Sequence, residues 1–179
     1  MHRLFVAIDL PEEIKAAVLS LQCPIRGAKW VTEEQLHLTL RFIGDADDDL
    51  LHEIATSLSG IMAAPFSLAL MGVGYFPPKR NPKVLWVGVG RSDALLNLQN
   101  DIEKVLLRNG LEPETRPFSP HITLARLKET LPAQLAPFLQ KNSRFATSIF
   151  PVTGFTLYSS RLAPQGAIHC QKAFFPLLG

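Results

Sequence analysis

The chain has 179 residues, of which 47% are hydrophobic and 19% charged. This composition is typical of one folded domain, or of two small lobes that share a core, and it excludes a disordered chain. The formal net charge of +2 excludes a polycation, so any contact with nucleic acid must come from local clusters of lysine and arginine.

The first half of the chain is predicted to alternate strands with helices. Short apolar runs bounded by turn residues are typical of strands, whereas apolar residues three and four positions apart are typical of helices. Pro11 and the two glutamates after it begin the first helix, because proline suits a first turn and acids suit its positive end; Pro24 and Gly27 end it. The predicted strands are 4–10, 30–31, 36–43 (ending at Gly44) and 66–71, and a second helix begins at 47–49 and continues to 61.

The second half repeats this order. Ser92 begins a helix that continues to 107, and Asn109 with Gly110 ends it. A segment at 130–139 is helical in part and is interrupted by Pro137. A loop at 72–83, rich in glycine and proline, joins the two halves. The predicted strands of this half are 84–89, 121–127, 152–159 and 167–175.

The matched order of elements indicates an internal repeat, roughly 1–83 and 84–179, within a single domain at 1–179. We therefore predict an α+β fold. It consists of two pseudo-symmetric lobes of mostly antiparallel sheet, with outer helices around a central cleft.

Each half carries one His-x-Thr-Leu piece, beginning at His37 in the first half and at His121 in the second. Side chains alternate along a strand, so Thr39 shares a face with His37, and Thr123 shares a face with His121. The leucine and isoleucine neighbours occupy the buried face. One such piece is usually structural, but two at matched positions of a repeat indicate function. We expect the two strands to bring both imidazoles and both hydroxyls to one site.

Such a site suits phosphoryl chemistry near neutral pH. Free histidine titrates at about pH 6.5, so one ring can be neutral while the other is protonated. The neutral ring can take a proton from attacking water, and the protonated ring can give one to the leaving oxygen. The threonine hydroxyls can donate to the non-bridging phosphate oxygens. This scheme needs no metal or cofactor, and the pattern alone does not say which histidine is the acid.

Five segments carry a resemblance to a known family, at 3–11, 36–44, 84–88, 116–126 and 155–160. In order and spacing they resemble the two-histidine phosphoesterase superfamily, and within it the bacterial and archaeal RNA 2′,3′-cyclic phosphodiesterases, also called LigT-like proteins or 2′-5′ RNA ligases. The resemblance implies a basic cleft and an RNA partner whose terminal 2′,3′-cyclic phosphate is opened to a 2′-phosphate. It also implies His37 as proton donor and His121 as proton acceptor.

Two arginines are candidate substrate-binding residues. Strict alternation puts Arg41 on the face of His37 and puts Arg126 on the face opposite to His121. The resemblance nevertheless favours Arg126 as a phosphate contact, which requires a bulge or the strand end to turn it. Both arginines also fit solvated strand ends.

The loop at 72–83 carries Lys79, Arg80 and Lys83 beside two aromatic residues. Basic and aromatic residues together can hold single-stranded RNA, and the same residues fit an ordinary charged loop. Three further histidines show no partner pattern: His2, His52 and His169.

Three functions remain open from the sequence. The first is metal-independent hydrolysis of cyclic phosphate ends on RNA, with tRNA fragments among the possible substrates. The second is the reverse reaction, 2′-5′ ligation, which microscopic reversibility allows at the same site. The third is a non-catalytic module that binds RNA ends, against which the paired acid and base argue.

The sequence carries no sign of export. The two cysteines, Cys23 and Cys170, lie far apart, which argues against a disulfide scaffold or a zinc site and suits a reducing compartment. The apolar run that opens the chain ends at Asp9 and Pro11, well short of a signal peptide, and no stretch approaches the roughly 20 apolar residues of a membrane span. We predict a cytoplasmic protein without membrane contact, and the pattern predicts no obligate protein partner.

Overall fold

The computed structural model describes all 179 residues. It contains ten strands, four α-helices and one 3₁₀ turn at Glu33–Gln35. In chain order the elements are β1 (His2–Asp9), α1 (Glu12–Leu19), β2 (Ala28–Trp30), β3 (His37–Ala46), α2 (Asp48–Leu58), β4 (Phe66–Leu68), β5 (Leu70–Phe76), β6 (Val84–Val89), α3 (Asp93–Arg108), β7 (His121–Leu127), α4 (Pro132–Lys141), β8 (Phe150–Val152), β9 (Gly154–Ala163) and β10 (Gly166–Pro176).

One eight-stranded sheet forms the frame of the protein. Its strands follow the order β10-β9-β1-β3-β7-β6-β5, with β2 paired to β7, while β4 and β8 form a separate pair. Every pairing is antiparallel, which confirms the predicted α+β class. The division of the chain at 83 and 84 stays a prediction.

The helices pack against the apolar face of this sheet. Their buried residues, such as Ile14, Ile54 and Leu98, join the apolar strand residues in one hydrophobic cluster of 33 members. Burial of apolar surface on this scale makes the largest favourable contribution to the free energy of folding. None of the four α-helices has both the length and the apolar character needed to cross a membrane.

At two elements, β5 and α4, glycine or proline does not interrupt the element as the sequence predicted. The predicted loop at 72–83 begins later, because β5 continues through Gly72 and Gly74. A Cβ on Gly74 would lie 2.3 Å from the ring of Trp86, so this glycine serves a close approach within a strand rather than a turn. Helix α4 likewise continues through Pro137. Burial of Leu135 and other apolar side chains of α4 outweighs the one hydrogen bond that the proline removes.

Strand β3 contains a bulge that reverses its alternation after the His-x-Thr pair. Ala7 of β1 pairs with Thr39, and Val6 pairs with Arg41, so Leu40 is an extra residue. Leu40 and Arg41 are therefore both buried, at 2% and 8% exposure. The prediction that Arg41 shares the face of His37 is wrong for this reason.

Arg41 instead forms a buried ion pair on the helical side of the sheet. Its Nε donates to a Glu103 carboxylate oxygen at 2.5 Å, and its Nη2 donates to the backbone carbonyl of Glu112 at 2.6 Å. Glu103 also accepts from the backbone N–H of Glu114 at 3.1 Å. Burial opposes ionisation of Glu103, but these hydrogen bonds and the nearby guanidinium hold its pKa below the usual range. The pair ties α3 to the segment that leads to β7.

Candidate active site

The two histidine-bearing strands meet side by side at the centre of the sheet. Leu38 of β3 pairs with Ile122 of β7 in antiparallel register, and both are fully buried. Each histidine therefore lies across from the threonine of the other strand. Both rings and both hydroxyls therefore lie on the face opposite to Leu38 and Ile122, on either side of this pair.

The imidazole of His121 forms its hydrogen bond with an uncharged group, a backbone carbonyl. Its Nδ1 lies 2.7 Å from the backbone carbonyl oxygen of Ser119, so Nδ1 carries a proton and donates it in this hydrogen bond. The Phe76 ring packs against the imidazole in a T-shaped arrangement, with the centroids 5.0 Å apart. In the neutral ring this tautomer leaves a lone pair on Nε2, which suits a proton acceptor.

His37 has different surroundings. Its side chain is only 7% exposed, and its Nε2 lies 3.4 Å from a carboxylate oxygen of Asp9. The rings of Phe5, Tyr158 and His169 surround it, with centroids 6.1, 4.7 and 5.1 Å away. The two histidines therefore match in sequence pattern but differ in their charged neighbours.

The Asp9 carboxylate is fixed by two donors from β9. Thr156 Oγ1 donates to it at 3.1 Å, and the Tyr158 hydroxyl donates to its other oxygen. Burial opposes ionisation of Asp9, but the nearby His37 ring and the hydrogen bonds from Tyr158 and Thr156 outweigh it and hold the pKa of Asp9 below its usual range. Burial, together with Asp9, raises the pKa of Tyr158, so its hydroxyl stays protonated. The sequence analysis missed Asp9 as a site residue, because its place depends on the pairing of Asp9 with His37.

His169 is a second residue that the sequence analysis missed. It lies on β10, and its ring packs against Phe5 at a centroid distance of 4.9 Å as well as against His37. Its Nδ1 is buried without a hydrogen-bond partner. Burial, and then the charge on His37, lowers the pKa of His169, so it is neutral near physiological pH. The β9–β10 hairpin carries this residue to the site, and no local pattern marks it.

Strand β7 contains the bulge that Arg126 requires. Trp86 of β6 pairs with Thr123, and Leu85 pairs with Ala125, so one residue of β7 is extra, as in β3. The bulge turns the exposed Arg126 to the face of Thr123. The expectation from strict alternation, that Arg126 lies on the opposite face from the histidine, is wrong.

The two equivalent bulges place different residues at the cleft. Arg126 of β7 pairs with the exposed Lys29 of β2, so two cationic side chains lie next to each other on this face. Phe42 occupies the corresponding place on β3, is 62% exposed, and lies 6.0 Å from the Phe5 ring between centroids. A cation pair can hold phosphate oxygens, and an exposed ring can stack on a base.

The loop that carries Lys79, Arg80 and Lys83 lies beside the C-terminal end of β7, next to Arg126. The backbone N–H of Leu127 donates to the carbonyl of Lys83 at 2.9 Å, and Lys79 and Arg80 are exposed. These residues extend the positive character of this end of the cleft.

This sheet, with one His-x-Thr strand from each half at its centre, defines the class of the two-histidine phosphoesterases. A model of the 2′-5′ RNA ligase superfamily matches residues 10–163. The chain belongs to this superfamily.

Similar proteins cover nearly the whole chain. The RNA 2′,3′-cyclic phosphodiesterase of Thermotoga maritima is 36% identical in an alignment of 173 positions that covers 93% of this chain and 91% of that protein. The protein of the same name from Thermus thermophilus is 36% identical in an alignment of 193 positions that covers 99% of this chain and 91% of that protein. The crystal structure of E. coli LigT complexed with 3′-AMP has a TM-score of 0.82, with 28% identity and 99% of each chain covered.

Proposed function

We propose that this chain hydrolyses the 2′,3′-cyclic phosphate ends of RNA to 2′-phosphomonoesters, without a metal ion, by acid–base catalysis between two histidines. The observation that carries the proposal is the antiparallel register of Leu38 and Ile122, which sets each histidine across from the other strand's threonine. The names of the relatives support the substrate class. RNA fragments with cyclic ends, tRNA fragments among them, fall within it.

In this mechanism His121 is the base and His37 is the acid. Nε2 of His121 takes a proton from water, whose oxygen forms a bond to phosphorus. The bond from phosphorus to the 3′ oxygen breaks, and the protonated His37 gives its proton to that oxygen. The tautomer of His121 supports its role as the base. The carbonyl of Ser119 keeps a proton on Nδ1, so Nε2 of the neutral ring is free to accept one.

The charge that builds on the phosphate needs donors from the same face. We assign this role to the hydroxyls of Thr39 and Thr123 and to the guanidinium of Arg126, which can bind two phosphate oxygens at once. Arg41 is no longer a candidate, because it is buried against Glu103.

Arg126→Ala is expected to lower kcat/KM about 10- to 100-fold, because one charge-assisted contact to the phosphate is lost. Steady-state kinetics on a cyclic-phosphate RNA measures the change. Arg116→Ala is the matched control, since the Arg116 side chain is 88% exposed and has only Glu114 beside it, at 3.9 Å. Equal effects of the two substitutions would contradict a specific role for Arg126.

The same site can also join RNA ends, with a 5′-hydroxyl as the nucleophile. The superfamily takes its name from 2′-5′ RNA ligation, and by microscopic reversibility the same groups would cleave the 2′-5′ bond to regenerate the cyclic phosphate. With a 5′-hydroxyl in place of water, His121 would take the hydroxyl proton and His37 would protonate the leaving 3′ oxygen, which leaves a 2′-5′ bond. Which direction prevails depends on the concentrations of RNA ends.

A cytoplasmic location completes the proposal. Cys23 and Cys170 are both free and exposed, which fits a reducing compartment. This location stays a prediction.

Phosphatase sensitivity tests the proposed function. An RNA oligonucleotide with a 2′,3′-cyclic end resists a phosphomonoesterase, whereas the opened product is sensitive to it. We expect the protein to convert the resistant end into a sensitive one. A protein that binds this RNA but leaves the end resistant would be a binding module instead.

A further inference from the structure

We propose that Asp9 is a positioning residue that holds His37 in its protonated, proton-donating form. The inference rests on the proposed function and deepens it. It explains how one of two histidines with the same sequence pattern becomes the acid.

The two rings differ in the group that each one faces. His121 donates to a neutral carbonyl through Nδ1, whereas Nε2 of His37 faces a carboxylate at 3.4 Å. This distance is longer than an ordinary hydrogen bond, so the carboxylate acts on His37 mainly through its charge and does not hold the Nε2 proton in a full hydrogen bond. A negative charge this close stabilises the imidazolium.

The position of Asp9 is built by the neighbouring strand rather than left to a surface rotamer. The Asp9 side chain is 44% exposed, yet its two oxygens accept from Thr156 and Tyr158 respectively. Both donors favour the ionised carboxylate. The lowered pKa of Asp9 agrees with this arrangement, although burial opposes ionisation. The carboxylate is therefore charged and stationary at the pH at which the acid must act.

Other neighbours of His37 oppose its protonation. The ring is nearly buried, which disfavours the charged form. Tyr158 from β9 stays neutral, and His169 from β10 would add a second positive charge if it were protonated. The diagonal neighbour on β7, His121, would do the same. Asp9 is the one acidic residue that contacts the ring. It is therefore the group that offsets the unfavourable effect of burial and of the neighbouring histidines on the protonated form of His37.

The test is an NMR titration of the histidine rings in the wild-type protein and in Asp9→Asn. Asparagine keeps the shape, and its one oxygen can still accept from Thr156. The substitution therefore removes the charge together with the oxygen that accepts from Tyr158. We expect the titration midpoint of the His37 ring to move down by about one pH unit or more. The alkaline limb of the pH–rate profile of kcat should move with it, since His37 then loses its proton earlier.

The matched control is Asp48→Asn. The Asp48 carboxylate contacts the His2 ring at 2.6 Å, so this substitution removes a carboxylate from another histidine and should leave the His37 midpoint unaltered. A purely structural role for Asp9 would lower kcat without moving either the His37 midpoint or the pH profile.

A His37 midpoint that is unchanged or higher in folded Asp9→Asn overturns the proposal. If that variant does not fold, Asp9→Ser decides, because it also removes the carboxylate and must move the midpoint in the same direction. The NMR result does not depend on turnover. If the wild type opens no cyclic phosphate and the midpoint still moves, the proposed function fails while Asp9 remains the charge partner of His37. If the wild type does open it and the midpoint does not move, the proposal for Asp9 alone fails.

Discussion

His121→Ala is expected to lower kcat about 10²- to 10⁴-fold on an RNA with a 2′,3′-cyclic end, because the attacking water loses its base. His37→Ala is expected to lower kcat by a similar factor, because the leaving oxygen then departs without a proton. Steady-state kinetics at saturating RNA measures both. The circular dichroism spectra should match that of the wild type, since neither side chain belongs to the hydrophobic core.

The control for these variants is His52→Ala. His52 is an exposed residue of α2, away from the His-x-Thr strands, and its loss should leave kcat unchanged. The double variant of His37 and His121 should be no more than a few fold slower than the worse single variant, because an acid and a base that act together lose their benefit when either is removed. A His121→Ala protein that turns over within a few fold of the wild type would remove the acid–base pair from the mechanism.

Arg41→Met is expected to lower the free energy of unfolding by about 3 kcal/mol, because it leaves the Glu103 carboxylate mostly buried without its partner. Urea denaturation followed by tryptophan fluorescence measures the change. Arg91→Ala is the matched control. The pair of Arg91 with Asp93 spans 3.8 Å, and its two side chains are 89% and 78% exposed, so its loss should cost no more than about 1 kcal/mol.

The pH dependence gives the same ion pair a second test. The pKa of Glu103 is lower in the folded protein than the ordinary value of 4.5, so its contribution to stability is complete above that value. The contribution falls as the pH drops below 4.5 and through the lowered pKa of the native state. The stability difference between the wild type and Glu103→Gln should therefore be largest near neutral pH and shrink in acid. A difference that grows in acid would contradict the ion pair.

The strands and their apolar faces could be predicted from the sequence because they depend on local patterns. Apolar runs and alternation placed the strands at 84–89 and 121–127 with the bounds that the structure has. The same alternation assigned Leu38 and Ile122 to the buried face. Glycine and proline were less reliable guides. Gly74 and Pro137 break a pattern locally, but packing against Trp86 and the core decides the outcome.

The directions of the arginines could not be predicted, because they depend on bulges. One extra residue in each strand exchanges the two faces beyond it. This sends Arg41 into a buried ion pair and turns Arg126 to the cleft. The sequence contains nothing at Leu40 or Leu124 that distinguishes a bulged leucine from a regular one.

The neighbours that distinguish the two histidines are equally long-range. Asp9 reaches His37 through the pairing of β1 with β3, and Tyr158 and His169 arrive on strands more than a hundred residues away in sequence. No motif joins them. By sequence pattern the two rings are equivalent. The register of the sheet distinguishes them, because it places His37 beside the carboxylate of Asp9 and leaves His121 bonded to a backbone carbonyl.

The central claim is that the paired histidines open the cyclic phosphate at the 3′ oxygen without a metal ion. The most direct measurement is identification of the product, by phosphorus NMR, after the protein has acted on an RNA with a 2′,3′-cyclic end in excess EDTA. We expect complete conversion to the 2′-phosphomonoester at an unchanged rate. A 3′-phosphomonoester, or a reaction that stops when EDTA is added, would contradict it.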